Sequence, residues 1–465
     1  MKCKPNEKHR DFSLVELFCG CGGFSHGFRR TEAFEIICGC DVKGPALETF
    51  RRNNLNFEGR PPETILDDIR GIEISKIETL LADRGVVHGE LDCLIGGPPC
   101  QGFSQLRRSK EREQNKIVRF RGYNHLDEDP RNDLVLRFLE IAAVLRPKII
   151  VIENVPQMMS HSHEGVDGGI AILIENLLKE MGYEVNNAVL NAADFGVPQI
   201  RQRVFIMASR IGKPSFPKAS HVDPFAKGLL ESKNKHWVTV NEAISDLPIP
   251  PVGSADILGG GSATQYLFRA NSGYGKKMQS RRYFPYNHVT RQYDDSVISI
   301  IKNMLPGETW NEASARKQLE FEKTIQSERE NEEDMIACRK RLITAGRINA
   351  AFYKSYYWSA YTRLHLDQPA LTITANANFL GSGRFTHPDK DRGITIREAA
   401  RLQSFEDEFT FLTSSNGKDL TTNIGVGLDM IGEAVPPLLA EAIARKALEL
   451  LNAKTIGSQT NGGLQ

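Results

Sequence analysis

The chain has 465 residues, of which 40% are hydrophobic and 25% are charged, a composition typical of folded globular proteins. At roughly 150 residues per domain, this length predicts two or three domains. The 59 Lys and Arg residues nearly balance the 58 Asp and Glu residues. The resulting net charge of +1 excludes a protein that binds polyanions through its overall charge. A local basic face is still compatible with this net charge.

The sequence offers no signal for export or membrane insertion. No run of about 18 apolar residues occurs, so we expect no membrane span. The polar segment Met1–Arg10 has no hydrophobic signal core behind it. The eight cysteines are therefore expected to be reduced thiols in the cytoplasm rather than a disulfide framework.

The first half of the chain alternates short apolar runs with helical patterns. This alternation is typical of a doubly wound, Rossmann-like α/β sheet with helices on both faces. Apolar stripes predict helices at Asp133–Arg146 and Gly169–Met181. The predicted strands are Ser13–Phe18, Phe34–Cys40, Leu91–Gly96, Lys148–Ile152, Tyr183–Leu190 and Val204–Ala208.

After about residue 212 prolines and glycines interrupt the pattern, which predicts a smaller, irregular second domain. Within it, Arg316–Arg347 is highly charged and predicts a solvated helical pair. A final amphipathic helix is predicted at Pro437–Leu451. We therefore expect a layered domain of residues 1–212 and 390–455, an inserted domain of residues 213–389, and a flexible tail at 456–465.

A glycine-rich segment, Leu17–Phe24, lies between a predicted strand and a helix. Glycines there let the backbone approach a ligand closely. The dinucleotide pattern fits poorly, because counting from Gly20 its last glycine position holds Ser25. Asp41 ends the next strand, where a carboxylate can accept both hydroxyls of a ribose. The segment indicates either a site for an adenosine-containing ligand or a tight turn with a helix cap.

Cys100 lies in the segment Gly96–Ser104, directly after a predicted buried strand. The carboxyl edge of an open α/β sheet is where ligands bind. Two prolines fix the backbone before the thiol, and the surrounding glycines leave room for a planar substrate. Although a loop cysteine is more often a small buried hydrophobe, these neighbours favour a nucleophile.

Polar residues follow two further predicted strands. Glu153 comes directly after Lys148–Ile152, which places a carboxylate at the same edge of the sheet. Gln199, Arg201 and Arg203 alternate in an extended run and are expected to share one face. Taken singly, Glu153 could be a helix cap or a solvated acid, and the arginines could be a surface row of salt bridges.

The order of these motifs resembles the DNA cytosine-C5 methyltransferase family over about residues 12–210 and 380–450. The matching segments are Phe18-x-Gly20-x-Gly22-Gly23, Pro98-Pro99-Cys100-Gln101, Glu153-Asn154-Val155, Gln199-x-Arg201-x-Arg203 and Arg397–Gln403. The resemblance implies that Cys100 adds to C6 of cytosine. It also implies that Glu153 hydrogen-bonds N3 and the exocyclic amine, and that Arg203 contacts O2 with support from Arg201.

The resemblance further implies S-adenosyl-L-methionine as the cofactor, lying over the glycine-rich segment. Asp41 would take the ribose hydroxyls, and Asp68 with Ile69 would border the adenine. Val42 and Pro98 stand where family members often carry aromatic residues. The predicted cofactor contacts are Phe18, Gly20, Gly22, Gly23, Asp41, Val42, Asp68, Ile69, Pro98, Glu433 and Ala434.

One residue departs from the family pattern in a way that bears on cofactor binding. Glu433 replaces the asparagine that in the family lies beside the methionine end of the cofactor. At 4 Å and an effective dielectric constant of 20, two like charges repel by about 4 kcal/mol. Glu433 could turn toward the cofactor ammonium or stay protonated, or it could mark a modified donor or a weakened enzyme.

Such an enzyme must extract its target base from the duplex, because C6 is inaccessible within the stack. A closing loop is expected at Gln105–His125, which carries seven cations and two acids, although a merely solvated loop is the alternative. The second domain is expected to recognise DNA, with Lys276–Arg291 offering cations and aromatic rings. The predicted DNA contacts are Gln101, Ser104, Arg107, Arg108, Arg281, Arg282, Arg363 and Arg384.

We therefore expect methylation of cytosine C5 in a short duplex DNA sequence, in restriction-modification or phage defence. The enzyme is expected to act as a monomer on DNA, within the bacterial nucleoid, with a cognate restriction or defence protein as partner. Methylation of transfer RNA and a catalytically silent DNA-binding relative are the alternatives. The spacing of Cys19, Cys21, Cys38 and Cys40 does not match zinc ligands, so no metal is expected.

Overall fold

The computed structural model describes residues 12–56, 58–99, 132–160, 169–224, 235–253, 269–279, 285–330, 332–412 and 423–460. The chain forms two compact units. Unit 1 comprises the described residues of Met1–Val197, Arg201–His236 and Ala434–Gln465, and unit 2 those of Pro198–Ile200 and Trp237–Glu433. None of the helices in these ranges combines the length and the apolar character needed to cross a membrane.

The strands and helices are numbered in chain order across both units. The strands are β1 (Phe12–Leu17), β2 (Phe34–Asp41), β3 (Glu63–Leu66), β4 (Cys93–Gly96), β5 (Ile149–Asn154), β6 (Glu184–Asn191), β7 (Gln199–Ile200), β8 (Gln202–Ser209), β9 (His221–Val222), β10 (Lys235–His236) and β11 (Ala370–Leu371). The helices are α1 (Gly23–Arg29), α2 (Gly44–Asn53), α3 (Ile74–Asp83), α4 (Asn132–Leu145), α5 (Gly169–Glu180), α6 (Val240–Ile244), α7 (Gly273–Met278), α8 (Asp295–Ile301), α9 (Trp310–Glu328), α10 (Met335–Thr344), α11 (Ile396–Leu402), α12 (Ile424–Glu433) and α13 (Pro437–Thr460).

Unit 1 is built on a seven-stranded sheet in the order β3-β2-β1-β4-β5-β8-β6. Strands β3, β2, β1, β4 and β5 are parallel to one another. Strand β8 is antiparallel to both of its neighbours, β5 and β6. The neighbours of β1 are β2 on one side and β4 on the other, so the winding direction reverses there. Open α/β sheets bind their ligands at the carboxyl ends of the strands beside such a reversal.

The central strands are buried on both faces, as their continuous apolar sequences predict. Leu14, Val15, Leu94 and Ile150 are fully buried in β1, β4 and β5. This burial pattern arises because helices cover both faces of a parallel sheet. The predicted doubly wound, Rossmann-like fold is thus confirmed, and the predicted strands match the observed ones closely. Strand β3 and helix α3 were not among the predicted elements.

Unit 2 has its own apolar core, formed largely by α9 and α10. Trp310, Phe321, Ile325 and Leu342 are buried there, so each of these helices has one face turned to the core. The prediction of a helical pair within Arg316–Arg347 agrees with this structure, but the pair is not solvated on all sides. The charged residues occupy the remaining faces, where they form ion pairs such as Arg316–Glu308, with Nε 2.7 Å from Oε1.

The division into units differs from the predicted domain boundaries. Residues 390–433 belong to unit 2 rather than to the layered unit, and residues 213–236 belong to unit 1. The reason is that helix α11 carries the fully buried Arg397 and Arg401 into the interior of unit 2. Helix α13 continues to Thr460, so residues 456–460 are helical and not a flexible tail, and residues 461–465 lie outside the described ranges.

The buried arginines of α11 bind unit 2 together through many hydrogen bonds. Arg397 donates to the backbone oxygens of Tyr286, Glu406 and Phe409. Arg401 donates two hydrogen bonds to the carboxylate of Asp246 and two to the carboxylate of Asp407. Tyr286 is itself buried, which does not agree with its predicted use in stacking on bases, whereas Tyr283 and Phe284 of the same predicted segment lie outside the described residues. The segment that resembles the family motif therefore has a scaffolding position in unit 2.

Candidate active site

The glycine-rich segment follows β1 in a run of left-handed backbone. Phe18, Gly20 and Gly22 have φ angles of 57°, 51° and 87°. The backbone N–H of Gly20 donates to Oδ2 of Asp41 over 2.8 Å, and the N–H of Lys43 donates to Oδ1 over 2.9 Å. Each carboxylate oxygen has a further lone pair, so Asp41 is fixed in position while it keeps the capacity to accept ribose hydroxyls.

The two glycines have different surroundings. A Cβ atom on Gly22 would lie 2.5 Å from Nδ2 of Asn54 and 2.7 Å from the ring of Phe50. A Cβ atom on Gly20 would have none of the described residues within 4 Å. The segment is therefore packed against the protein at Gly22 and open at Gly20. This open backbone beside a fixed carboxylate fits the adenosine part of the expected cofactor.

Buried Glu16 is a feature of this segment that the sequence reasoning missed. Its Oε2 accepts the backbone N–H of Ser25 over 3.1 Å, which ties the end of β1 to α1. Burial raises the pKa of Glu16 to about 8, although the hydrogen bonds from Ser25 act in the opposite direction. The signal was available, because a charged residue in the otherwise apolar Phe12–Leu17 needs a specific partner.

The residues predicted to border the adenine differ in accessibility. Val42 is 61% exposed, which leaves an apolar side chain available beside Asp41. Asp68 is exposed and accepts hydrogen bonds from Arg70, which lower its pKa to about 2. Ile69 is buried, and its backbone oxygen accepts from Nε of Arg137 over 3.2 Å. Ile69 is therefore part of the apolar core, and its predicted place beside the adenine stays a prediction.

An ion pair joins Glu153 near the end of β5 to Arg203 near the start of β8. Nε of Arg203 lies 2.8 Å from Oε1 of Glu153, and both side chains are largely buried. Burial lowers the pKa of Arg203, and the Glu153 carboxylate opposes this effect. A Cβ atom on Gly97 would lie 3.0 Å from Oε2 of Glu153, so the carboxylate faces the segment that leads to Cys100.

The same edge is braced by the residue after Glu153. Nδ2 of Asn154 donates to the backbone oxygen of Pro98 over 3.1 Å, and Pro98 is buried. The register pairs Leu17 with Gly96 and Gly96 with Ile152. The glycine-rich segment, the Gly97–Pro99 segment and Glu153 therefore all leave the sheet at the same edge.

The predicted row of Gln199, Arg201 and Arg203 is wrong as a single surface, because the run is divided between two strands. Gln199 is buried in unit 2, where it donates to the backbone oxygen of Leu402 over 3.1 Å. Arg201 is buried in unit 1, where Nη2 donates to the backbone oxygen of Ala434 over 3.1 Å. Arg203, in contrast, forms an ion pair with Glu153.

Most of the predicted DNA contacts lie outside the described residues. These are Gln101, Ser104, Arg107, Arg108, Arg281 and Arg282, together with the predicted loop Gln105–His125 and the predicted nucleophile Cys100. Their roles stay predictions.

Arg363 does not agree with its predicted role in DNA contact. It is buried in unit 2 and donates to the backbone oxygens of Ile301, Met304, His387 and Lys390, and it pairs with Asp391. Its donors are therefore committed to the fold of unit 2. Arg384 is half-buried and rests on the ring of Trp358.

Comparison with known proteins agrees with this geometry. Residues 12–449 match the family model described as C-5 cytosine-specific DNA methylase. The chain is 30% identical to the type II methyltransferase M.DdeI of Desulfomicrobium norvegicum over 437 residues, covering 93% of this chain and 88% of the relative. It is 29% identical to the type II methyltransferase M1.HphI of Haemophilus parahaemolyticus, covering 94% and 87% of the two chains.

A solved structure has the same fold. It is a proposed DNA modification methyltransferase encoded within an E. coli prophage, with a TM-score of 0.62 and 22% identity, covering 95% of this chain and 100% of that one. The chain belongs to the C-5 cytosine-specific DNA methylase family. It is a DNA (cytosine-5)-methyltransferase, with DNA as its substrate and S-adenosyl-L-methionine as its methyl donor.

Proposed function

We propose that Cys100, Glu153 and Arg203 carry out the chemistry on a cytosine turned out of the duplex. The ion pair between Glu153 and Arg203 supports this proposal most directly, because it lies at the sheet edge from which the chain proceeds to Cys100. An acid and a cation held together in this way can contact adjacent atoms of one pyrimidine ring.

Each of these residues has a distinct task in the proposal. The thiolate of Cys100 adds to C6 and raises the electron density at C5. Glu153 hydrogen-bonds N3 and the exocyclic amine, so that negative charge does not accumulate on the ring. Arg203 donates to O2 from the side of its guanidinium that faces away from Glu153. Arg201 acts as a positioning residue, because it holds the backbone at Ala434.

The glycine-rich segment and its neighbours form the proposed cofactor site. When bound, S-adenosyl-L-methionine supplies an electrophilic methyl group on sulfur. Asp41 accepts the ribose hydroxyls, and Gly20 leaves the backbone open to adenosine. Val42 packs on the adenine, while Glu433 and Ala434 lie near the methionine end. The exposed Val42 and the open space at Gly20 support this arrangement.

We further propose that unit 2 recognises a short DNA sequence and that the enzyme serves restriction-modification or phage defence. The type II methyltransferase names of the similar relatives support this context. They also favour DNA over transfer RNA as the substrate. A cytoplasmic monomer that acts on nucleoid DNA with a cognate restriction or defence protein completes the proposal.

Covalent trapping tests the catalytic assignment. Wild-type protein incubated with cofactor and duplex DNA containing 5-fluorocytosine is expected to form an adduct that survives denaturing electrophoresis. Cys100→Ser should abolish the adduct, whereas Cys338→Ser, which alters a thiol in unit 2, should leave it intact. An adduct formed by Cys100→Ser would refute the assignment. A parallel reaction with transfer RNA that also contains 5-fluorocytosine, expected to give no adduct, tests the substrate.

A further inference from the structure

The guanidinium of Arg384 in unit 2 lies over an exposed aromatic surface. Its Cζ lies 4.4 Å from the centroid of the Trp358 ring. Trp358 is 43% exposed and Tyr357 is 36% exposed, and their ring centroids are 5.9 Å apart. An exposed aromatic surface next to a cation offers a ligand both a flat apolar face and hydrogen-bond donors.

Trp358 and Arg384 are both anchored to the buried interior of unit 2. The backbone oxygen of Trp358 accepts the N–H of buried Trp310 over 2.8 Å, and Trp310 stacks on Phe352 with centroids 5.1 Å apart. Thr386, two residues after Arg384, is fully buried, and its backbone oxygen accepts the N–H of Leu364 over 3.0 Å. The guanidinium is therefore oriented before any ligand arrives, which reduces the entropy cost of binding.

The hydrogen-bonding edge of Arg384 is available for a ligand. Across the described ranges of the chain, its guanidinium makes no hydrogen bond and no ion pair, in contrast to Arg363. The planar guanidinium carries its N–H donors as a rigid fork, which can form two parallel hydrogen bonds with a ligand while the group lies over the ring. The N7 and O6 acceptors of guanine and the oxygens of a phosphate both match this geometry.

The aromatic surroundings favour guanine over phosphate. A phosphate is strongly hydrated and gains little from contact with the apolar ring faces of Trp358 and Tyr357. A base edge is planar and partly apolar, so it can contact the rings while its acceptors meet the guanidinium. A phosphate contact also gains little from a fixed orientation, whereas reading a base requires one.

We propose that Arg384, held against Trp358, reads a guanine of the target sequence through paired hydrogen bonds to N7 and O6. The proposal rests on the proposed function of unit 2 in sequence recognition, and it names a residue that determines the sequence. Trp358 is a positioning residue in this assignment. A bidentate contact of this kind discriminates against other bases by roughly 10- to 100-fold.

The test is to express wild type, Arg384→Ala, Arg384→Lys and Trp358→Ala in bacteria without cytosine methylation and to sequence bisulfite-treated DNA. Arg347→Ala is the matched control, because it removes the same charge from an exposed ion pair of unit 2. We expect wild type and Arg347→Ala to methylate one sequence containing a required guanine. Both Arg384 variants should accept other bases at that single position, and Trp358→Ala should do so more weakly. Arg384→Lys keeps the charge and decides the outcome if Arg384→Ala fails to fold.

Uniformly lower methylation with an unchanged sequence in Arg384→Lys would overturn the proposal and indicate a phosphate contact. A second measurement separates this result from failure of the methylation chemistry. Selecting duplexes from a randomised library by binding alone requires no methyl transfer. If wild type binds one sequence without methylating it, the catalytic proposal fails while the Arg384 test continues. If the selected sequence requires no guanine, the inference is wrong.

Discussion

Glu153 and Arg203 form a largely buried ion pair, 2.8 Å from Oε1 to Nε, across two antiparallel strands. The β5–β8 register pairs Glu153 with Phe205 and Asn154 with Val204, so Arg203 comes directly before Val204, the first residue of β8 that pairs with β5. The antiparallel direction of β8 is what carries Arg203 to the same sheet edge as Glu153. A parallel strand would place it at the opposite edge.

Replacing Glu153 by Gln should greatly slow catalysis with little effect on cofactor binding. The amide keeps the shape of the side chain, but it cannot exchange a proton with N3 of the pyrimidine. Negative charge would therefore accumulate on the ring. We expect the single-turnover rate of methyl transfer to fall by about 10²- to 10⁴-fold. The dissociation constant of the cofactor, measured by calorimetry, should stay close to the wild-type value. Glu48→Gln, an exposed change on α2, is the control. A Glu153→Gln rate near that of wild type would contradict the assignment.

Gly20→Ala and Gly22→Ala should separate cofactor binding from folding. Both residues have positive φ, so each alanine costs about 1–2 kcal/mol in backbone strain. At Gly22 the methyl group also overlaps Asn54 and Phe50, which should bring the loss to about 3 kcal/mol or more. Urea denaturation measures both effects.

At Gly20 the methyl group meets open space within the protein, so the stability loss should stay near the strain alone. It enters the space assigned to adenosine, and cofactor affinity should fall by at least about tenfold. Unchanged affinity in Gly20→Ala would show that the ligand lies elsewhere.

Glu16→Gln should remove a pH dependence of stability. With the folded-state pKa of Glu16 raised to about 8, the folded protein holds a proton that the unfolded chain releases near its ordinary pKa of 4.5. The stabilisation is fully present below the unfolded pKa and is lost as pH rises through about 8. The wild-type free energy of unfolding should therefore fall relative to the variant by up to about 1.4 kcal/mol per pH unit.

Urea denaturation of both proteins between about pH 5 and pH 8 measures this difference. Glutamine can still accept the N–H of Ser25, so the comparison isolates the proton. Parallel curves for the two proteins would mean that Glu16 is ionised in the folded state.

Glu433→Asn should tighten cofactor binding. If Glu433 lies beside the cofactor carboxylate, the amide removes a repulsion of up to about 4 kcal/mol. We expect the dissociation constant to fall by at least about tenfold, as measured by calorimetry. An unchanged value would show that Glu433 does not face that carboxylate, and a weaker one would indicate that it binds the ammonium.

Arg363→Ala should act on stability and not on sequence preference. The variant removes the guanidinium donor from four backbone oxygens of unit 2, of which those of Ile301 and Lys390 keep a backbone donor, and this should cost about 2–4 kcal/mol in the free energy of unfolding. The methylated sequence in the surviving folded protein should be that of wild type. A changed sequence in Arg363→Ala would restore its predicted role in DNA contact.

The sequence by itself determined the doubly wound sheet. It also determined that Glu153 and Asp41 lie at the carboxyl edge of this sheet. Both follow from local signals. Apolar runs mark strands buried on two faces, and a polar residue that ends such a strand must leave the sheet at the carboxyl edge. The same logic could have found Glu16, whose charge contradicts its apolar neighbours.

Only the tertiary structure decided which arginines are free to act. Four arginines that look equivalent in the sequence have four different partners. Arg201 contacts a backbone oxygen and Arg203 a carboxylate. Arg363 contacts a cluster of buried carbonyl groups and Arg384 an aromatic ring. A long side chain can reach partners distant in sequence, as Arg201 reaches Ala434. Its role therefore depends on which groups folding brings within hydrogen-bonding distance, and local periodicity carries no record of them.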